Sequence, residues 1–268
     1  MSYSTNIITS VQNTRVKQWV QLQERKHRNR EGKFIAEGIH LVQEALRSGA
    51  PVECVVYQDE HGIPAELSSL RSADLDIEWI AVTDAVLKKC TETETPQPVF
   101  AVVKKSTSDW RRVFEDKAAL VVAVDGVQDP GNLGTIIRTA DAVGATGVVL
   151  GKGTVDLYNS KAVRSTMGSL FHLPIVEGDL NELLPEAKRH GAKVVSTSLQ
   201  AEETCYSHSF AEATWIVVGN EGKGVSASVQ ALVDASVIIP MRGQAESLNV
   251  AMATSVMLYE AMRQRHYR

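Results

Sequence analysis

The chain has few of the residues that staple a protein together or embed it in a membrane. Among its 268 residues there are 3 cysteines, Cys54, Cys90 and Cys205, far apart and with no C-x-x-C pair. That count excludes a disulfide framework and a cysteine zinc site, and it fits a reducing cytoplasm. The 7 histidines show no ligand spacing, so no metal is expected. No apolar run approaches the roughly 20 residues that a membrane span needs. Residues 1–6 hold no basic stretch leading into an apolar run, so no signal peptide is expected. The net charge of -4 is mild and does not by itself point to nucleic acid.

With 44% hydrophobic and 22% charged residues, the composition is that of an ordinary globular protein, and the length allows two domains. In the first segment the apolar spacing predicts helices over 11–23 and 38–47, the second closed by Gly49, and strands over 34–36, 52–57, 77–82 and 99–103. The polar stretch 104–109 (Lys-Lys-Ser-Thr-Ser-Asp) has no periodicity and reads as a boundary, giving domains of 1–105 and 106–268.

The second segment has the stronger rhythm. Short β-branched runs at 120–124, 147–150, 193–196, 215–218 and 237–239 suit a parallel sheet covered on both faces. Helical stretches at 133–143, 161–169, 180–190, 226–233 and 248–263 alternate with them, which predicts a doubly wound α/β layer. The last helix is apolar nearly all round and should be buried.

Three stretches place small or polar groups at predicted strand ends, where open α/β sheets bind ligands. The first leaves a strand through Asp125–Gly131 and reaches Asn132, a good N-cap for a helix whose buried side is Leu133, Ile136, Ile137, Ala140 and Val143. Arg138 lies off that stripe. It either pairs with Asp141 at i,i+3 or aims its guanidinium at a phosphate. The second stretch, Gly219-Asn220-Glu221-Gly222, is either a plain turn or a place where a ligand approaches backbone closely. Its spacing matches neither a dinucleotide nor a nucleotide-phosphate glycine loop. In the third, Ile239-Pro240-Met241 leads to Ser247-Leu248-Asn249-Val250. Taken alone, Ser247 reads as an N-cap and Met241 as core filling.

Together these stretches closely resemble the signature motifs of the SpoU (TrmH-type) RNA ribose 2′-O-methyltransferases of the SPOUT class. The match is Asn132-x-Gly134-x-x-x-Arg138 followed by Gly144-Ala145, then Gly219-x-Glu221-x-x-Gly224, then Ile239-Pro240-Met241 with Ser247-Leu248-Asn249-Val250, over roughly 120–262. The resemblance implies a deep C-terminal trefoil knot, one of the rare exceptions to unknotted chains, and a homodimer. It implies S-adenosylmethionine held by groups around Thr197, Leu199, Gly219, Ile239, Met241 and Leu248. Residues 159–169, with Arg164 and Ser165, also resemble the family and are expected to line the RNA side. Residues 10–17 and 34–38 resemble the smaller α/β substrate-binding domain, built like certain ribosomal proteins, that precedes many of these enzymes.

That first domain carries concentrated positive charge. Arg15, Lys17, Arg25, Lys26, Arg28, Arg30 and Lys33 crowd together with only Glu24 and Glu31 opposing. A solvated helix face is one reading of the run. Joined to a methyltransferase, a phosphate-contacting patch is the favoured one.

The implied reaction is an in-line displacement that needs no metal, in which alignment alone can supply about 7–11 kcal/mol. The resemblance gives Arg138 a central part, in some members as the base. A guanidinium essentially stays protonated, so Arg138 is expected instead to fix the adjacent phosphate and steady oxyanion charge. Asn132, Ser247 and Asn249 would orient the ribose, while Glu221 or a phosphate oxygen would take the proton. 23S ribosomal RNA is favoured over transfer RNA as substrate. A non-catalytic RNA-binding protein of the same fold would need damage at Asn132, Arg138, Glu221 or Asn249, and all four are present. A dehydrogenase would want a glycine-rich first turn, and Asp129-Pro130-Gly131-Asn132 is not one.

Overall fold

The computed structural model describes residues 7–73, 77–106, 110–114 and 116–267. The predicted boundary at 104–109 therefore falls partly outside the described residues, as does the reading of residues 1–6. The chain divides into two compact units, one of 1–106 with Tyr158–Phe171, the other of 107–157 with His172–Arg268.

The first unit begins with α1 (Thr14–Gln21), whose first turn is closed by Asn13 accepting from the Arg15 N–H at 2.8 Å. Then come α2 (Arg25–Glu31), β1 (Lys33–Glu37), α3 (Ile39–Arg47), β2 (Val52–Gln58), α4 (Ala65–Ala73), β3 (Glu78–Val82), α5 (Asp84–Cys90) and β4 (Val99–Lys104). The sheet order is β1-β4-β2-β3, with β2 and β3 parallel and the other two pairings antiparallel. Successive residues of β2 feed opposite cores: Val55 and Tyr57 pack with Phe34, Leu41 and Val42, whereas Cys54 and Val56 pack with Val16, Trp19 and Leu22. Both faces are covered, so the run lacks alternation. Helices α2, α4 and α5 are absent from the sequence reading, because so few residues do not establish an apolar period.

The second unit holds a 3₁₀ turn (Trp110–Phe114) and then β5 (Leu120–Asp125), α6 (Pro130–Ala142) and β6 (Gly147–Leu150). After α7 (Ser160–Ser165) follow β7 (Ile175–Glu177), α8 (Leu180–Arg189), β8 (Lys193–Thr197), β9 (Thr214–Gly219), α9 (Ala227–Gln230), β10 (Ala235–Val237) and α10 (Val250–His266). Six parallel strands lie in the order β10-β8-β9-β5-β6-β7. Strand β9 thus slots between β8 and β5, so the carboxyl ends of strands far apart in sequence become neighbours. The doubly wound parallel sheet expected from the rhythm is present; the three-residue β7 escapes that reading, and the last strand runs over 235–237 where 237–239 was expected.

Two expectations need correction. Helix α10 is not buried all round: Ala251, Thr254, Met257, Leu258 and Ala261 are, whereas Met252 and Tyr259 are about half exposed, at 49% and 51%. Apolar residues on every face cannot all be buried when a helix packs on one side of a sheet. Segment 158–171, read as part of the second domain, groups with the first unit. Its Val163 joins the first-unit core, and the Phe34 ring lies 4.7 Å from Tyr158 and 6.3 Å from Phe171.

Candidate active site

The carboxyl ends of β8, β9 and β10 open onto a cavity of about 810 Å³. All six residues expected to hold the cofactor, Thr197, Leu199, Gly219, Ile239, Met241 and Leu248, line it, as do Glu221, Ser247 and Asn249. Leu199 and Leu248 present exposed apolar side chains there, at 56% and 39%. The volume lies within the range of small-molecule sites, and such a mixture of apolar walls with a few polar groups is what those sites use. This fits a nucleoside carrying a polar tail.

Loop geometry explains the second motif. A Cβ on Gly219 would lie 2.1 Å from Gly224 C and 2.2 Å from Val225 N, so only glycine fits. Asn220, quoted in the motif without a role, organises the turn. Its Oδ1 accepts from the N–H groups of Gly222 and Lys223, both at 3.0 Å. Its Nδ2 donates to the Gly126 carbonyl at 2.9 Å, and its backbone exchanges two hydrogen bonds with Gly224. The readable signal was an asparagine entering a glycine turn, where its side chain closes the loop locally.

A second tie runs through Glu221. Its carboxylate accepts from Gln128 N and Asp129 N at 3.0 Å and from Asn132 Nδ2 at 2.9 Å. Asn132 Oδ1 in turn accepts from Asn249 Nδ2 at 3.0 Å. One residue from each motif thus stands in a single chain, Asn249 to Asn132 to Glu221. Partial burial acts to raise the Glu221 carboxyl, but the donors Asn132, Asp129 and Gln128 outweigh it and hold it below the usual range. A carboxylate so engaged is a poor proton acceptor.

The helix caps differ from those expected. Asp129 caps α6, accepting from Asn132 N at 2.9 Å, with Pro130 in the first turn. Asn132 is therefore inside the helix, which frees its side chain for Glu221 and Asn249. Asn249, rather than Ser247, caps α10 and accepts from Ala251 N at 2.9 Å. Its amide serves the cap through one atom and Asn132 through the other.

Arg138, roughly two turns beyond Asn132 on α6, is exposed. Its alternative partner Asp141 instead accepts from His172 Nδ1 at 2.8 Å. Arg138 has no ion pair among the described residues, which leaves its guanidinium available to a ligand.

The basic cluster of the first unit divides. Arg28 is buried at 4% exposure and donates to the carbonyls of Leu22 at 2.9 Å and Gln23 at 2.6 Å, so its assignment to RNA is corrected. Arg15 is bound by both oxygens of Glu78 at 2.8 Å, which raises its pKa further. Arg30 pairs with Glu31 and Lys33 with Glu53. Arg164 lies 3.5 Å from the buried Glu37 within the first unit. Lys17, Arg25 and Lys26 are exposed and unpaired among the described residues.

The fold is that of a SPOUT-class methyltransferase with an N-terminal substrate-binding domain. Residues 119–259 match the SpoU rRNA Methylase family, and residues 13–101 match the MRM3-like substrate binding domain. The chain belongs to the SpoU rRNA methylase family. It is 42% identical, over 94% of its length and 97% of the relative's, to the 23S rRNA (guanosine(2553)-2′-O)-methyltransferase RlmP of Bacillus subtilis. It is 34% identical, over 96% of its length and 92% of the relative's, to the 23S rRNA (uridine(2479)-2′-O)-methyltransferase of Streptomyces viridochromogenes. Among solved structures, the AdoMet complex of AviRb from S. viridochromogenes superposes with a TM-score of 0.86 at 34% identity, covering 94% of this chain and 98% of that one. The AdoMet-bound rRNA methyltransferase of Sinorhizobium meliloti gives 0.87 at 33%, covering 96% and 97%.

Proposed function

We propose that this protein transfers a methyl group to the ribose 2′-hydroxyl of a nucleotide in 23S ribosomal RNA. The observation that carries this reading is the Asn249–Asn132–Glu221 chain beside the cavity, with all six expected cofactor residues lining it. S-adenosylmethionine bound there supplies a methyl group activated by its positively charged sulfur. Thr197, Leu199, Gly219, Ile239, Met241 and Leu248 would hold it.

The chain's own residues supply alignment and charge. Asn132 and Asn249, each pinned by the other, orient the ribose together with Ser247. Glu221 is a positioning residue: it locks the Asn132 amide and the entry to α6. Arg138 binds the phosphate beside the target nucleotide and steadies the charge that develops on the 2′-oxygen. The hydroxyl proton passes to a phosphate oxygen of the RNA, since three donors already hold the Glu221 carboxylate. Lys17, Arg25 and Lys26 give the first unit its RNA contact.

The protein works as a homodimer in the cytoplasm, where the ribosomal substrate is. The half-exposed Met252 and Tyr259 on α10 support a partner surface. No helix among the described residues is long and apolar enough to cross a membrane. The C-terminal part is read as trefoil-knotted, in keeping with β9 being inserted between β8 and β5.

The test is a map of ribose methylation in total RNA with and without the gene. Loss of one 2′-O-methyl group in large-subunit RNA is expected. Loss of a base methyl, or of a transfer-RNA ribose methyl alone, would overturn the reading.

A further inference from the structure

Lys223 is the one lysine or arginine among the described residues that line the cavity. It is exposed, and it has no ion pair among the described residues. The acid nearest in sequence, Glu221, makes no ion pair with it; that carboxylate is held instead by Gln128, Asp129 and Asn132. The lysine's backbone is also fixed. Asn220 Oδ1 holds its N–H at 3.0 Å, Asn220 and Gly224 close the turn at 3.0 and 2.9 Å, and Asn220 Nδ2 ties the loop to Gly126. A hydrogen-bonded loop therefore carries, in the lining of the cavity, an ammonium with no ion pair among the described residues.

We propose that Lys223 is a further RNA-binding residue, taking a backbone phosphate next to the nucleotide that enters the cavity. This rests on the proposed methyl transfer to RNA. Apart from the Glu221 carboxylate, which three donors already hold, the other polar side chains lining the cavity are neutral, so a polyanion would find its compensating charge at Lys223. A lysine suits the task as a compact point charge that needs no fixed fork geometry. Its position favours RNA over the carboxylate of the cofactor. The 220–224 turn is tied to Gly126 and, through Glu221, to Asn132 at the start of α6, the helix that carries Arg138. Thr197, by contrast, ends β8, and Ile239 follows β10.

The experiment uses the full chain as wild type, Lys223→Gln and Lys223→Arg. Equilibrium binding to deproteinised 23S ribosomal RNA is measured across a salt series, and S-adenosylmethionine binding is measured separately by calorimetry. Losing one phosphate contact should lower the slope of log affinity against log salt by about 0.7–0.9. The Gln variant should show that loss, weaken RNA binding several-fold at low salt, and leave cofactor affinity unchanged; the Arg variant should restore the slope. An unchanged slope overturns the proposal. A weakened cofactor affinity with normal RNA binding also overturns it, assigning Lys223 to the cofactor carboxylate. Because the readout is binding, a wild-type protein that binds this RNA but transfers no methyl group to it defeats the functional reading and not the Lys223 contact.

Discussion

Asn249 Nδ2 donates to Asn132 Oδ1 at 3.0 Å across 117 residues of sequence. The same Asn249 side chain caps α10 through its Oδ1. The two duties can be separated. Asn249→Asp keeps an oxygen for the cap but loses the donor, so it should hold the melting temperature while cutting methylation at least tenfold. Asn249→Ala should lose both, with about 1 kcal/mol of stability gone. If the Asp variant methylated at the wild-type rate, the contact with Asn132 would have no part in the reaction.

Glu221 should act through position and not through its proton. Its carboxyl is held below the usual range, so the stability it adds is present above the ordinary carboxylate pKa and fades as pH falls through the lower folded value. It therefore stays ionised from about pH 6 to 9. Glu221→Gln turns an amide donor toward one of three donors, and leaving one of them unsatisfied costs about 1–3 kcal/mol. The pH–rate profile of the variant should be lowered uniformly. Removal of one titrating limb would instead make Glu221 the base.

Arg138 is exposed and unpaired among the described residues, so Arg138→Ala should move stability by less than about 0.5 kcal/mol. Methylation should nonetheless fall by two orders of magnitude or more. Arg138→Lys, assayed at saturating RNA, tests the base role. An active variant with a new limb near the lysine pKa would restore that role to Arg138, and a flat profile supports phosphate binding.

Gly219→Ala should be severe, since the added carbon meets backbone at 2.1 Å where no flexible side chain can yield. Expected are a lower melting temperature and loss of S-adenosylmethionine binding in calorimetry. Near-normal affinity would show that the 219–225 backbone moves freely, contrary to the hydrogen bonds of Asn220.

In the first unit, Arg28→Ala should lower stability by about 1.5–3 kcal/mol, because it strips a buried and a half-buried carbonyl of a charged donor. Its RNA affinity should match wild type in the folded protein. Lys17, Arg25 and Lys26 changed together to Gln should do the reverse, flattening the salt dependence of binding with little effect on melting. The opposite pattern would return Arg28 to the RNA face.

Much was legible from the chain alone. The strands β5, β6, β8 and β9 are continuous apolar runs because both faces of the parallel sheet are covered, and burial leaves that mark on composition. The glycine at 219 and the asparagines at 132 and 249 were visible as motif residues, since a turn or a close approach demands particular side chains. Their partners were not visible. Whether Asn132 or Asp129 caps α6 depends on which oxygen reaches the amides. Whether Arg28 or Lys26 meets solvent depends on which side of a seven-residue helix faces the sheet. The sequence by itself determined the parallel α/β frame and the residue types of the site. Only the tertiary structure decided that β9 lies between β8 and β5, joined Asn249, Asn132 and Glu221 into one chain, and left Arg138 and Lys223 without an ion pair among the described residues. Those outcomes depend on contacts between residues scores of positions apart, which local periodicity does not encode.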